Sequence, residues 1–401
     1  MKRLFACVLL VGCGSSPATN GDGGMCAPLM LRPQARQRVD GVLDASGQKI
    51  LVYGGDEAPI STALPAPRQL TDDLWSYDVA CGTWTELGMQ QPPGAQGEYT
   101  AVLDSKRNRL ILIAGQKGTA ANPPVVEELW AYDLAAMTWT QLHPATPAGS
   151  PGARVGQRAI YDAGHDQVVM FGGERTINFN AGDMFGDTWM LDFTSSADGT
   201  WSKLAGTGPA KRRDAALATD GSRVVLFGGA SDFMTYQNDV WVLDLAQGAW
   251  TQATTSGDVP SARFASKLTF DAAGGRFVMF GGHDPASLGP LNDTYALTVD
   301  ASGNAAFELL IAGDSDTTVA GVDHASPERR ERHAQVAAGS RLWIFGGASD
   351  CGPMDDVWTL DLTAPTKWTT VVPALIDETC QRRAAAGQTC QPPPNDCTTP
   401  L

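Results

Sequence analysis

Histidine is almost missing from this chain: His143, His165, His283, His324 and His333 are the only five in 401 residues. Metal centres and proton-transfer sites draw heavily on that side chain, so there is little material for either. The eight cysteines include no CxxC pair, and no histidine stands among Cys380, Cys390 and Cys397, which argues against a zinc site. Positive charge is also short. Lys and Arg number 29 against 44 Asp and Glu, for a formal net charge of −15. A body that acidic is unsuited to nucleic acid phosphates or to direct binding of an anionic lipid surface. No apolar run is long enough to cross a bilayer as a helix.

The start of the chain reads as a targeting segment. Lys2 and Arg3 precede a short apolar run, Leu4 to Val11, and then comes Leu10-Val11-Gly12-Cys13. That order looks like a bacterial lipobox, in which Cys13 is acylated; an ordinary secretory signal with an incidental cysteine is the alternative. The expectation is a signal peptide over 1–12, lipidation of Cys13, and a Gly/Ser/Pro-rich flexible tether over 13–32. Gly14 resembles the position after the cysteine in lipoproteins sorted to an outer membrane. A bacterial cell envelope and a bilayer reached only through the acylated Cys13 follow as expectations. Six further cysteines, Cys26, Cys81, Cys351, Cys380, Cys390 and Cys397, suggest disulfides in an exported chain. Sequence does not choose their pairing, but their clustering near both ends would staple the start to a Cys-rich tail over 373–401.

What is abundant is repetition. Gly54-Gly55, Ala114-Gly115, Gly172-Gly173, Gly228-Gly229, Gly281-Gly282 and Gly346-Gly347 follow one another at 53 to 65 residues. After each pair come a loop, an aromatic strand (LWSYD, LWAYD, TWMLD, VWVLD, TYALT, VWTLD) and a strand centred on Trp or Phe. Before each pair stands Pro-x-x-Arg, giving Arg36, Arg154, Arg212, Arg263 and Arg330, with Gln96 in the second unit. From that position to the glycine pair the count is 18, 18, 18, 16, 18 and 16, and even changes keep every side chain on its own sheet face. Four short strands are expected per unit. In the third unit these are 154–161, 167–171, 188–192 and 200–204. The glycine pair should end the second strand, where only glycine tolerates positive φ at a crowded axis. Trp75 with Trp84, Trp130 with Trp139, Trp189 with Trp201, Trp241 with Trp250 and Trp358 with Trp368 would plug the gaps between units. Tyr295 and Phe307 replace the pair in the fifth unit, where looser packing is expected.

A period of this size with four strands per unit predicts a propeller. With glycine pair, aromatic pair and arginine recurring together, residues 33–372 resemble the kelch-repeat β-propeller family. The resemblance implies an all-β fold: a six-bladed β-propeller of kelch type, with four antiparallel strands per blade. Kelch repeats often carry His three residues after the arginine position, and here only His333 does.

The resemblance implies binding on the face that carries the loops after strand two. Glu174, Arg175, Phe179, Phe233, Tyr236, His283, Asp284 and His324 fall on that face. The aromatic loop residues Phe179, Phe185, Phe233 and Tyr236 suit stacking on a sugar or anchoring a protein. The five repeat arginines would lie at the channel mouth. There they either ring an anion or bind carbonyls and the aspartates Asp73, Asp187, Asp239, Asp293 and Asp356 of a neighbouring blade, and a residue repeated in nearly every blade is more simply structural. Glu174 and Arg175 would be the acid/base pair if the chain were similar to kelch-type sialic-acid mutarotases. A copper site like that of galactose-oxidase-like propellers, or the iron site of kelch specifier proteins, is not reproduced in the ligand spacing. The expected function is therefore a membrane-anchored binding module for a protein or glycan, with an exported carbohydrate-active enzyme and an envelope scaffold as alternatives. No cofactor, metal or nucleic acid is implied, and oligomeric state is open.

Overall fold

The computed structural model describes residues 31–59, 67–89, 93–284, 289–313, 326–349 and 352–374. Cys13, Cys26, His324, Cys351, Cys380, Cys390 and Cys397, with the expected signal peptide, most of the tether and the tail, lie outside them. The described residues are all β, with no helix among them.

Six units of four antiparallel strands follow one another in chain order. The first strands are Gly41–Leu43, Thr100–Asp104, Arg158–Asp162, Ala216–Thr219, Lys267–Asp271 and Ala334–Ala338. The second strands are Lys49–Asp56, Arg109–Lys117, Gln167–Phe171, Arg223–Ala230, Arg276–Phe280 and Arg341–Phe345. The third are Leu70–Asp78, Val125–Asp133, Thr188–Asp192, Tyr236–Asp244, Thr294–Val299 and Val357–Asp361. The fourth are Thr83–Met89, Thr138–Leu142, Thr200–Lys203, Ala249–Gln252, Ala305–Ile311 and Trp368–Val372. In unit three the register runs Arg158↔Phe171, Phe171↔Thr188 and Leu191↔Trp201. Each second strand is a run of Val, Ile, Leu, Met and Phe buried on both faces, as a central strand requires.

Two local expectations are corrected. The first strand of unit three begins at Arg158, not Arg154. Gly156 at φ 64° turns residues 154–157 out of the sheet, and Val155 bridges Glu174 instead. Nor does the glycine pair always end the second strand. In units one, two and four the ladder resumes beyond it, at Gly55↔Thr71, Gly115↔Val126 and Gly229↔Gln237. Two successive positive φ values make a bulge there, so the strand bends and goes on.

Packing between units is carried by the fourth-strand aromatics. Trp139 of unit two meets Tyr53 of unit one at 5.0 Å, and Trp250 of unit four meets Phe171 of unit three at 5.9 Å. Phe307 of unit five meets Phe227 of unit four at 5.4 Å, and Trp368 of unit six meets Phe280 of unit five at 5.0 Å. Trp201 of unit three shares a core with Ile111 and Ile113 of unit two. Trp84 of unit one packs on Phe345 of unit six at 4.7 Å. Phe307 is buried and wedged between Phe227 and Tyr295, so the expectation of loose packing in unit five fails. A ring of phenylalanine size fills that gap because Tyr295 leans edge-on against it.

The first strands touch in the order one, two, three, four, five, six and back to one. Two residues beyond each arginine position a residue takes positive φ: Arg38, Glu98, Gly156, Asp214, Ala265 and Arg332. These form a chain of backbone hydrogen bonds. Arg38 N donates to Arg332 O at 3.1 Å and Glu98 N to Arg38 O at 3.1 Å. Asp214 N donates to Gly156 O at 2.7 Å, Ala265 N to Asp214 O at 2.8 Å, and Arg332 N to Ala265 O at 3.2 Å.

Candidate functional site

The repeat arginines form no exposed cationic ring. Each is wholly buried and closes a latch inside its own unit, not on a neighbour. Arg330 Nη1 and Nη2 donate to Asp356 Oδ1 and Oδ2 at 2.6 and 2.7 Å, Nη1 also reaches Gly346 O at 3.0 Å, and Nε reaches Glu328 O at 2.9 Å. Trp358 Nε1 donates to the same carboxylate at 2.8 Å. Arg36 with Asp73, Arg154 with Asp187, Arg212 with Asp239 and Arg263 with Asp293 repeat the arrangement. The planar guanidinium fork takes both carboxylate oxygens side by side and a carbonyl besides, a geometry that the single nitrogen of a lysine does not offer. Every guanidinium nitrogen already donates and each side chain is buried, so an anion has no open approach to them.

A second set of charges, unseen as a set in the sequence, gathers beside the chain of backbone hydrogen bonds. Arg213 meets Glu98 at 2.8 Å, Glu174 at 2.7 Å and Asp214 at 2.9 Å. Arg68 lies 3.4 Å from Glu98 and 3.6 Å from Asp56, Arg38 lies 3.4 Å from Asp56 and pairs with Glu98, and Arg158 meets Asp214 at 3.0 Å. Arg332 pairs with Glu331. Burial, reinforced by the charges of Arg68 and Arg332, holds Arg38 well below its usual pKa. Burial also pushes Arg68 down to about 10 against the pull of Asp56. Burial would raise Asp214, but Arg213, Arg158 and Arg332 outweigh it and hold the carboxyl below the usual carboxylate range. The signal for this plug was the column two residues after each arginine position, which carries Arg38, Glu98, Asp214 and Arg332.

Beside the plug lies an aromatic bed that the sequence reading named in part. Phe264 is its buried centre, with Phe179 at 5.5 Å, Tyr236 at 4.9 Å and His283 at 5.2 Å. Arg213 stacks over Phe179 at 4.4 Å and Arg332 over Phe264 at 5.2 Å, so the bed and the plug share two cations. Phe233 stands edge-on to Phe179 at 6.3 Å and is 63% exposed, and the adjacent Met234 is 74% exposed. They sit on a tight tip. Asp232 Oδ1 accepts from Met234 N and Thr235 N, both at 2.8 Å, and Ser231 N donates to Thr235 O at 2.9 Å. Phe264 and Met234 were missed, Phe264 because it directly follows a structural arginine and Met234 because a lone methionine in a loop carries no pattern.

The remaining predicted face residues divide. His283 is half-buried and lies 3.5 Å from Glu331. Asp284 is buried and accepts from Ser261 Oγ at 2.7 Å. Arg175 is exposed and leans over Phe185 at 5.5 Å. Glu174 is wholly buried, its carboxylate held by Arg213, Thr176 Oγ1 and Asn180 N, so it does not form an acid/base pair with Arg175. Desolvation is affordable for it only with that cation beside it.

A family model described as the KLHDC2/KLHL20/DRC7 Kelch-repeats domain matches residues 26–229, 143–308 and 215–391. Among curated proteins, the chain is similar to a putative adagio-like protein 2 of Oryza sativa subsp. japonica. The two are 27% identical over 60% of this chain and 37% of that protein. It is also similar to host cell factor 1 of Homo sapiens, 29% identical over 54% of this chain and 10% of that one. A third likeness is to the dynein alpha chain of the flagellar outer arm of Chlamydomonas reinhardtii, 35% identical over 28% of this chain and 2% of that one. The chain thus spans well under half the length of each of these relatives. With the family model running through all six units, and with glycine pair, arginine latch and aromatic pair recurring in register, the chain belongs to the kelch-repeat family.

Proposed function

We propose that this chain is a six-bladed kelch propeller that binds a protein partner through its long-loop face, with Phe233 and Met234 as the anchor. Closure into six blades is supported by the ring of first-strand contacts, by Trp84 packing on Phe345, and by the backbone hydrogen bonds from Arg332 through Arg38 to Glu98. Partner binding is carried by one observation: a hydrogen-bonded turn holds two large apolar side chains out in solvent above an aromatic bed. The turn beneath them is fixed before binding, which limits the ordering cost to the side chains, and a buried aromatic anchor concentrates interface energy. The flexible methionine beside Phe233 adapts to an apolar pocket, which suits a protein partner.

The test is crosslinking of the full chain to its partner in native cells, with mass spectrometry of the captured protein and a glycan array in parallel. Replacing Phe233 and Met234 by Ala should weaken capture of that protein at least about tenfold, a loss typical of hot-spot residues. Equal capture by the variant, or saturable glycan binding alone, ends this reading. Placement in a bacterial envelope through an acylated Cys13 is a separate proposal that rests on Leu10-Val11-Gly12-Cys13. Cys13→Ser should abolish incorporation of labelled palmitate and release the chain from membranes; unchanged labelling counts against it.

A further inference from the structure

Of the five guanidiniums in the charged cluster, four stand on a first strand or on the arm that leads into one: Arg38, Arg158, Arg213 and Arg332. Arg68 is the exception. It belongs to the connection after the second strand of unit one, two residues before Leu70 opens the third. Five carboxylates face these five cations: Asp56, Glu98, Glu174, Asp214 and Glu331. The balance closes only with Arg68 in place.

Arg68 is also the most loosely held. Each of the other four has a carboxylate at 3.0 Å or closer. Arg68 Nε donates to Gln116 Oε1 at 3.2 Å and Nη2 to Glu98 Oε1 at 3.4 Å, while Nη1 stands 3.6 Å from Asp56 Oδ2. That Oδ2 is buried and accepts no hydrogen bond among the described residues. The acceptors, by contrast, are fixed in place. Gln116 is wholly buried, and its Nε2 donates to Pro123 O at 3.1 Å, which leaves Oε1 for Arg68. Asp56 Oδ1 accepts from Ala58 N at 3.1 Å and Gln69 N at 2.9 Å, which leaves Oδ2 free. Glu98 Oε2 accepts from Arg213 at 2.8 Å. Three fixed acceptors, two of them charged, suit a planar guanidinium, and the present occupant satisfies them incompletely.

The side chain of Arg68 can leave while its backbone stays. Arg68 N is tied to Ala121 O at 2.7 Å, whereas Pro67 and Gln69 on either side are exposed, so rotation about its own bonds takes the guanidinium to water. The like charges of Arg332 and Arg213 oppose it where it lies. We infer that Asp56, Glu98 and Gln116 form a site for an arginine side chain of the protein partner, and that Arg68 fills this site until the partner displaces it. The partner itself is taken from the reading above. The exchange keeps the charge balance, and a guanidinium not tethered at residue 68 can close the gap to Asp56 Oδ2. Arg213 and Phe179 lead from Glu98 to Phe233, so the site lies beside the apolar anchor.

The test is calorimetric titration of the full chain with ethylguanidinium, ethylammonium and N-ethylurea. Arg68→Ala should bind ethylguanidinium about tenfold more tightly than either of the others, the scale of a charged hydrogen bond. The parent chain should bind it saturably but about tenfold more weakly than Arg68→Ala, because Arg68 competes. Glu98→Gln in the Arg68→Ala chain should erase the preference for ethylguanidinium. Gln116→Leu, which deletes a neutral acceptor, should weaken its binding and reads the site where Glu98→Gln perturbs the fold. Capture of the crosslinked partner should rise about tenfold in Arg68→Ala. Absence of saturable binding to the parent or to Arg68→Ala, equal binding of N-ethylurea, equal affinity of parent and variant, or a partner captured no better overturns the inference. The titration uses no partner, so its failure leaves the reading of Phe233 and Met234 standing, and failure of that reading leaves the titration's result unchanged.

Discussion

Arg330→Met should cost about 3–5 kcal/mol of stability, because it removes one partner of a buried ion pair and leaves the other charge uncompensated. Arg330 is wholly buried and Asp356 is 2% exposed, so water cannot replace the lost guanidinium. Asp356 would keep only the indole N–H of Trp358, and Gly346 O would lose a donor as well. The damage falls where unit six meets unit one, since a Cβ on Gly346 would lie 2.7 Å from Arg36 O. Asp356→Leu combined with Arg330→Met should recover part of the loss, since no buried charge remains. Denaturant unfolding of the two variants beside Arg341→Ala, an exposed control, reads the effect. A loss for Arg330→Met no larger than that of the control would show that the latch is not structural.

Acid should weaken the fold well above the range in which carboxylates titrate, through His333. This imidazole is wholly buried against Phe280 at 5.3 Å, and Nε2 lies 3.4 Å from Gln335 Oε1. Burial first, then the charges of Lys267 and Arg330, hold its pKa well below the usual 6.5. The folded state therefore keeps it neutral while the unfolded chain takes up a proton below about pH 6.5. Protons bind more to the unfolded state, so stability falls as pH falls, by about 1.4 kcal/mol per pH unit down to the folded pKa. The slope should be visible between about pH 6.5 and 4.5, before Asp214 and the other carboxylates with depressed pKa begin to lose their contribution. His333→Gln should flatten it. Stability that is level across this window in the parent chain, or a slope unchanged in the variant, would refute the assignment.

Several features of the molecule could be read from spacing alone. The third-unit strands 167–171 and 188–192 fall where expected, because buried β runs bounded by glycine and Asp leave no freedom in register. The Trp and Phe pairs were legible because they recur on fixed strands. The arginine at 18 or 16 residues before each glycine pair was legible as a repeat, but its partner was not. Pairing Arg36 with Asp73 of its own unit depends on how a hairpin folds back, which spacing does not encode. Glu174 misled the sequence reading for the same reason. An acid after a glycine pair reads as a loop charge, and only the approach of Arg213, 39 residues later, buries it.

The sequence by itself determined the repeat, the β class, the second-strand cores and the family, since each rests on local periodicity that any one unit displays. Only the tertiary structure decided which charges face one another and which apolar side chains remain outside. Arg213 with Glu98 are 115 residues apart, and Phe179 with Phe264 come from different units. Contacts of that range are set by where whole sheets are placed relative to one another.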